Sequence, residues 1–228
     1  TTAFNNMVNF IRNNDMSILS NYNIAKSMWN MDNYLTYFAL EMYAHNDDWI
    51  SVYKGEYWFN NIKLWRPRGV TNAKWNYQLH DIDLGVQNNL VNYKTIDTVF
   101  AAGNLSSHSL ILNKFKTNTE FKRRFINKFF DLFNITLKKD TLNNILTNMF
   151  NKYKPELNRM SNQWPENPGM SNISQNSESL IIGQIQNIRQ FISQRELIIR
   201  NQLVSHFILP NSDTANITIG VAPSSIGK

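Results

Sequence analysis

The sequence predicts a mainly helical domain with one small β-hairpin near its middle. Three observations carry this. Apolar residues recur at helical spacing towards both ends, and two short alternating runs flank a Pro/Gly turn in the centre. A hydrophobic content of 42%, with 14 Phe, 9 Tyr and 6 Trp, supplies apolar surface for a real core. At 228 residues the chain is long enough for one substantial domain.

Phe4, Met7, Val8 and Ile11 follow a helical repeat that stops at the polar Asn13, Asn14 and Asp15. A second helix is predicted to include Ile24 to Trp29. A third starts near Asp32, whose carboxylate suits an N-cap, and carries Leu35, Phe38, Ala39, Met42 and Tyr43 on one face. Residues 46–60, with Asp47, Asp48 and Gly55 among several aromatics, read as a loop. Asn61 to Trp65 alternates, Pro67, Arg68 and Gly69 turn the chain, and Lys74 to Leu79 alternates again. That is the hairpin, and it ends in His80-Asp81-Ile82-Asp83-Leu84-Gly85.

Residues 86–116 are polar and weakly periodic, and read as a long loop with a short helix near Leu110–Phe115. Thr117 and Glu120 fit a capping box ahead of Phe121, Phe125, Ile126, Phe129, Leu132 and Phe133. Asp140 precedes Leu142, Ile145, Leu146, Met149, Phe150 and Tyr153 in the same manner. The Ser-, Asn- and Pro-rich residues 161–176 read as a connection to a final helix from Ser177 to Phe207, which Gly183 weakens. From Asn211 the chain alternates through Ala215, Ile217 and Ile219, as a linker or the first strand of a following β-rich domain would.

Composition narrows the chemistry. Cysteine is absent, which excludes disulfides and thiolate zinc sites. No apolar run approaches the roughly 18 residues of a membrane span. The chain opens on Thr1 without a signal-peptide pattern, as a processed product or a fragment would. The formal charge of +6 is spread along the chain, and its tightest cluster, Lys122-Arg123-Arg124, reads as a solvated helix face. No nucleic-acid-binding module accompanies that charge, so nucleic acid is not an expected partner. His45, His80, His108 and His206 lack metal-ligand spacing, and Ser106, Ser107 and Ser109 lack a nucleophile-elbow setting. The Trp and Tyr residues at 49, 53, 57, 58, 65, 75 and 77 suit a sugar or peptide platform, a core or a rim equally well.

What remains is oxygen. Asp47 and Asp48 precede the hairpin, Asn60 and Asn61 open it, and Asp81 and Asp83 close it. Phosphoryl transfer asks a protein for a carboxylate that orients the acceptor hydroxyl and for oxygen ligands that hold the metal on the phosphates. Magnesium takes a few such ligands together with waters and phosphates. Asp-x-Asp on an extended strand end suits this use, because side chains at i and i+2 leave one face. By itself the spacing is weak, since Asp-rich turns and caps are common.

Larger blocks point further. Asp32 to Ala39, Tyr43 and Asn46-Asp47-Asp48-Trp49, then Asn60 to Pro67, Lys74 to Tyr77 and Asp81 to Gly85, resemble the spore coat protein H (CotH) kinase family. Leu110 to Phe125 and Phe191 to Arg195 resemble its later helices, so the similarity spans about residues 3–209. The version resembled is that of Bacteroidetes-like secreted proteins. The resemblance implies the C-terminal lobe of an atypical protein-kinase-like fold over 1–209, with the nucleotide-binding N-terminal lobe missing from this chain. It implies Asp48 as the catalytic-loop Asp, Asn61 and Asp81 as metal ligands with Asp83 assisting, and Lys63, Arg66 and His80 in the vicinity of nucleotide or substrate. It further implies ATP and Mg2+ (or Mn2+) as cofactors, a secreted or surface bacterial location, and phosphate transfer to Ser or Thr of surface or coat proteins. A non-catalytic module for surface adhesion or assembly is the alternative, as in fungal members that act as host-binding invasins. One departure stands out. Ile50 to Phe59 intervene between Asp48 and Asn61, where the family places the Asn about five residues after the catalytic Asp, matching the kinase catalytic loop.

Overall fold

In the structure, a computed structural model describing residues 2–157, 159 and 177–209, a mainly helical body carries two small antiparallel hairpins. Helices α1 (Thr2–Asn13), α2 (Leu19–Ser27) and α3 (Met31–Ala44) come first. Strands β1 (Ile50–Tyr53) and β2 (Glu56–Phe59) pair in register Ile50 to Phe59, and β3 (Lys63–Trp65) pairs with β4 (Asn76–Gln78) in register Lys63 to Gln78. Then follow α4 (Thr95–Ala101), α5 (Ser107–Lys116), α6 (Thr119–Asn134), α7 (Lys139–Tyr153) and the long α8 (Ser177–Phe207). The expected connection over 161–176 and the alternating tail from Asn211 lie outside the described residues.

Helix α3 is the axis of the core. Tyr34, Leu35, Tyr37, Phe38, Ala39 and Met42 are all buried on it, because α6, β4, α4 and α8 pack around it. On α6, Phe121, Phe125, Phe129 and Phe133 fall every fourth residue and form one buried ladder, with successive rings 5.7, 5.3 and 5.9 Å apart. Tyr77 of β4 stacks between Trp29 (5.2 Å) and Tyr37 (4.4 Å). That sandwich pins the second hairpin to α3. It fixes where the hairpin's two ends point.

Several boundaries differ from the sequence expectation, each for a local reason. The third helix is capped by Asn30, whose side chain accepts from Asn33 N–H, so Asp32 sits inside the first turn. Asn118, not Thr117, caps α6 by accepting from both Glu120 and Phe121 N–H. The second helix lies earlier than expected, at Leu19–Ser27, and Trp29 is left to bridge to Trp75. Residues 86–116 hold a single 3-10 turn at Asn88–Leu90 and then two α-helices, not one. The second of these, α5, begins in a capping box closed by Ser106 and Ser109. Residues 46–60 are a hairpin, not a loop. Its two turn residues, Lys54 (φ 51°) and Gly55 (φ 85°), both adopt left-handed backbone, the geometry of a tight two-residue connection. No helix among the described residues is long and apolar enough to cross a membrane.

Candidate functional site

The site begins where α3 stops. His45 ends the helix in a left-handed conformation (φ 48°), and Asn46, Asp47 and Asp48 leave it toward the hairpins. The β1–β2 hairpin then returns the chain: Ile50 pairs with Phe59, and Asn60 N–H donates to Trp49 C=O at 3.1 Å. Asn60 and Asn61 are thereby delivered beside Asp48. Asn61 adopts a left-handed backbone, which Asn tolerates better than most residues, and its Nδ2 donates to Asp48 Oδ2 at 2.9 Å. Asn60 Nδ2 donates to both carboxylate oxygens at 3.0 Å, and Trp58 Nε1 donates to Oδ1 at 2.7 Å. The insertion therefore folds as a closed hairpin packed against α4, and it brings together the two groups it separates in sequence.

The second strip of the site is the turn after β4. Asn46 joins the two. Its Oδ1 accepts from Asp48 N–H (3.2 Å) and its Nδ2 donates to Asp81 C=O (3.2 Å), while Asp47 N–H reaches Leu84 C=O (3.5 Å). Asp81 and Val86 both have positive φ (53° and 59°), an uncommon conformation for Asp and an outlier for β-branched Val. Val86 is held there by donating to Ala44 C=O at 2.7 Å. Between them Gly85 passes so close to α3 that a Cβ would meet Ile82 C=O at 3.1 Å and the Ala44 Cβ at 3.3 Å. Backbone strain of this kind persists only where the surroundings impose it.

Asp48 and Asn61 are brought into contact, and Asp81 lies on the turn tied to the same loop through Asn46. The carboxylates of Asp81 and Asp83 are exposed and make no side-chain hydrogen bond or ion pair among the described residues. Lys63, exposed on β3, lies two residues from Asn61, and His80 is exposed just beyond β4. Arg66 is elsewhere: its guanidinium sits 5.4 Å above the Trp75 ring, in a furrow against α1. Over Asp47 and Asp48 lies an open hollow of about 240 Å3, rimmed by Tyr53, Trp58 and Leu84. Among the described residues no three His, Cys, Asp or Glu side chains form a ready metal cage. A magnesium ion bound mainly through water and phosphate needs only one or two carboxylates, and the unpaired Asp81 and Asp83 fit that demand.

Two buried charged residues support this loop, and the sequence reading assigned neither a role. Arg195 of α8 is fully buried, donating to Tyr43 and Met42 C=O at the end of α3, to Val91 and Tyr93 C=O, and to Thr95 Oγ1. Glu41, also fully buried, accepts from Asn46 Nδ2 at 3.2 Å. Desolvation pushes the Glu41 carboxyl up to about 7, against the opposing pull of the Asn46 amide. Desolvation drives His45 down to about 3, with help from nearby Arg195. Its approach to Asp47 (3.8 Å) is therefore not an ion pair at neutral pH.

A pH dependence follows. The folded state holds the Glu41 proton to about pH 7 and the unfolded chain releases it near 4.5, so the protonated native form is favoured at low pH. Stability should fall as pH rises from 4.5 through 7 by about 3 kcal/mol, then level off. Glu41→Gln should flatten that slope in urea unfolding from pH 4.5 to 8.5. Parallel curves for the two proteins would remove Glu41 as the cause.

Each missed residue left a trace. Glu41 interrupts an apolar face three residues after Phe38, and Arg195 sits four residues from Phe191 and four from Ile199 on the buried stripe of α8. A charge on a core stripe is a signal that it has found partners.

No curated protein and no solved structure matches this chain. A family model described as CotH kinase protein matches residues 1–199, a span that includes every element from α1 to Arg195. The chain belongs to the CotH kinase family.

Proposed function

We propose that this chain is the catalytic-lobe part of an atypical kinase that transfers the γ-phosphate of ATP to Ser or Thr of secreted, surface or coat proteins. Family membership supports kinase-like chemistry in general. The observation that carries the specific reading is the contact of Asn61 with Asp48 (2.9 Å), with Asp81 held on the adjoining turn by Asn46. In this reading Asp48 orients the acceptor hydroxyl and takes its proton. The acceptor oxygen forms a bond to the γ-phosphorus, the bond to the β-phosphate bridging oxygen breaks, and ADP leaves. Asn61, Asp81 and Asp83 would hold a magnesium or manganese ion, which neutralises phosphate charge when bound. In the same reading Lys63 and His80, exposed at the near end of the β3–β4 hairpin, would meet the nucleotide or acceptor.

The test is labelling with γ-phosphate-tagged ATP, comparing wild type with Asp81→Asn in the natural full-length product. Asn keeps one oxygen but loses the charge, so incorporation should drop about a hundredfold. Equal incorporation would remove the kinase reading.

A second reading, a non-catalytic adhesion or assembly module at the bacterial surface, is favoured by one feature. Trp58 already donates to Asp48 Oδ1, and Trp58 and Tyr53 stand exposed around the hollow. Absence of labelling in both proteins, together with binding of a surface ligand lost in Trp58→Ala, would select it.

A further inference from the structure

The β3–β4 hairpin has a second end, which the reading above leaves unused. There a furrow of about 780 Å3 runs beside α1 and the end of α2, lined by Asn6, Ser27, Arg66, Asn72, Lys74 and Trp75 among others. No Asp or Glu lines it. Neither Arg66 nor Lys74 has a carboxylate partner among the described residues, although Lys26, Arg124, Lys128, Arg159 and Arg200 all do. The furrow therefore presents two cations with no carboxylate at ion-pair distance among the described residues.

Its wall is rigid. Phe4 meets the Trp75 ring edge-on at 5.5 Å, Trp75 N–H donates to Met28 C=O (2.9 Å), and Asn30 N–H donates to Trp75 C=O (3.0 Å). The Arg66 guanidinium lies over that ring, which holds it in place while its N–H fork stays exposed. A guanidinium held over a ring beside an exposed ammonium suits carboxylates, which the Arg fork can take in bidentate fashion.

We propose that this furrow docks an acidic segment of the protein substrate, with Asp or Glu carboxylates pairing with Arg66 and Lys74. The proposal rests on the phosphotransfer reading and adds a substrate class to it. Asn61 and Arg66 lie five residues apart along a nearly extended stretch, about 16 Å at 3.3 Å per residue. A substrate chain reaching from Asp48 to the furrow must span roughly that distance, so its acidic block belongs about five to eight residues from the accepting Ser or Thr. A nucleic acid is less suited, because a phosphate backbone is held by a row of cations and this furrow offers two.

The experiment uses labelled peptides carrying one Ser and, about six residues away, a block of four Glu or four Gln, with a single-stranded RNA oligomer as a third probe. Anisotropy should show the Glu peptide binding at least tenfold tighter than the Gln peptide. Arg66→Glu/Lys74→Glu should abolish that difference. The control Lys138→Glu/Lys139→Glu, with the same change in net charge, should keep it, and circular dichroism verifies that both variants fold. Equal binding of the Glu and Gln peptides, equal losses in the two variants, or tighter binding of RNA than of the Glu peptide overturns the proposal. Binding needs no turnover, so the two readings separate. A Glu peptide held in the furrow but never phosphorylated counts against the transfer chemistry, whereas equal kcat/KM on both peptides counts against the furrow.

Discussion

Arg195→Met is expected to destabilise the fold by about 3–5 kcal/mol, read as a lowered urea midpoint with an unchanged slope. Among the described residues no carboxylate pairs with Arg195. The guanidinium is compensated by oxygen dipoles: Nε to Tyr43 C=O (2.9 Å), Nη2 to Met42 C=O (2.9 Å) and Thr95 Oγ1 (2.7 Å), Nη1 to Val91 C=O (2.6 Å) and Tyr93 C=O (3.2 Å). The α3 carbonyls belong to its last turn, where the helix dipole is negative and a cation is favoured. Burial lowers the Arg195 pKa to about 10, so the group stays charged at every physiological pH. Met restores the volume and leaves the carbonyls stranded without water. Arg195→Lys retains the charge, but a single ammonium cannot reach acceptors on three segments, so it should recover less than half of the loss. A Met variant as stable as wild type would show that these hydrogen bonds contribute no net stability.

Asp48→Asn is expected to reduce phosphate incorporation about a thousandfold, within the range for removing a positioned base. It should also loosen the hairpin. The carboxylate accepts from Trp58, Asn60 and Asn61, and an amide in its place would turn an NH2 toward at least one of these donors. Trp58 is the reporter: released from its 2.7 Å contact, its fluorescence should shift to the red. Incorporation comparable to wild type would assign the hydroxyl's proton to another acceptor.

How far the sequence carried depended on the range of the interaction concerned. The Phe ladder of α6 and the apolar face of α1 are properties of single helices, and their periodicity is visible in the residues themselves. The same holds for the β3–β4 hairpin, whose alternating runs surround a Pro/Gly turn. The β1–β2 hairpin was hidden because Lys54-Gly55 is a weaker turn signal than Asn-Gly, and because its aromatics read equally well as loop or rim. Helix α4 was hidden by its polar surroundings, and packing against β1, α8, α3 and α5 makes it worth forming. Of the candidate site, Asp48 and Asn61 were legible through block resemblance, and their contact depends on the intervening hairpin. Glu41 and Arg195 depend on partners brought in by the fold. For Arg195 these lie between 100 and 153 residues away, beyond the reach of any window pattern.

That separation has a consequence for the order of events at the ribosome. Asp48 is synthesised well before its brace, because Arg195 follows Met42 by 153 residues. At about 5–20 residues per second, roughly 8–30 s elapse between the two. During that interval the nascent loop lacks the clasp that fixes its origin, and α8, about 46 Å of helix, must emerge before the loop can be secured. Whatever this site does, each new copy begins doing it only when α8 has docked.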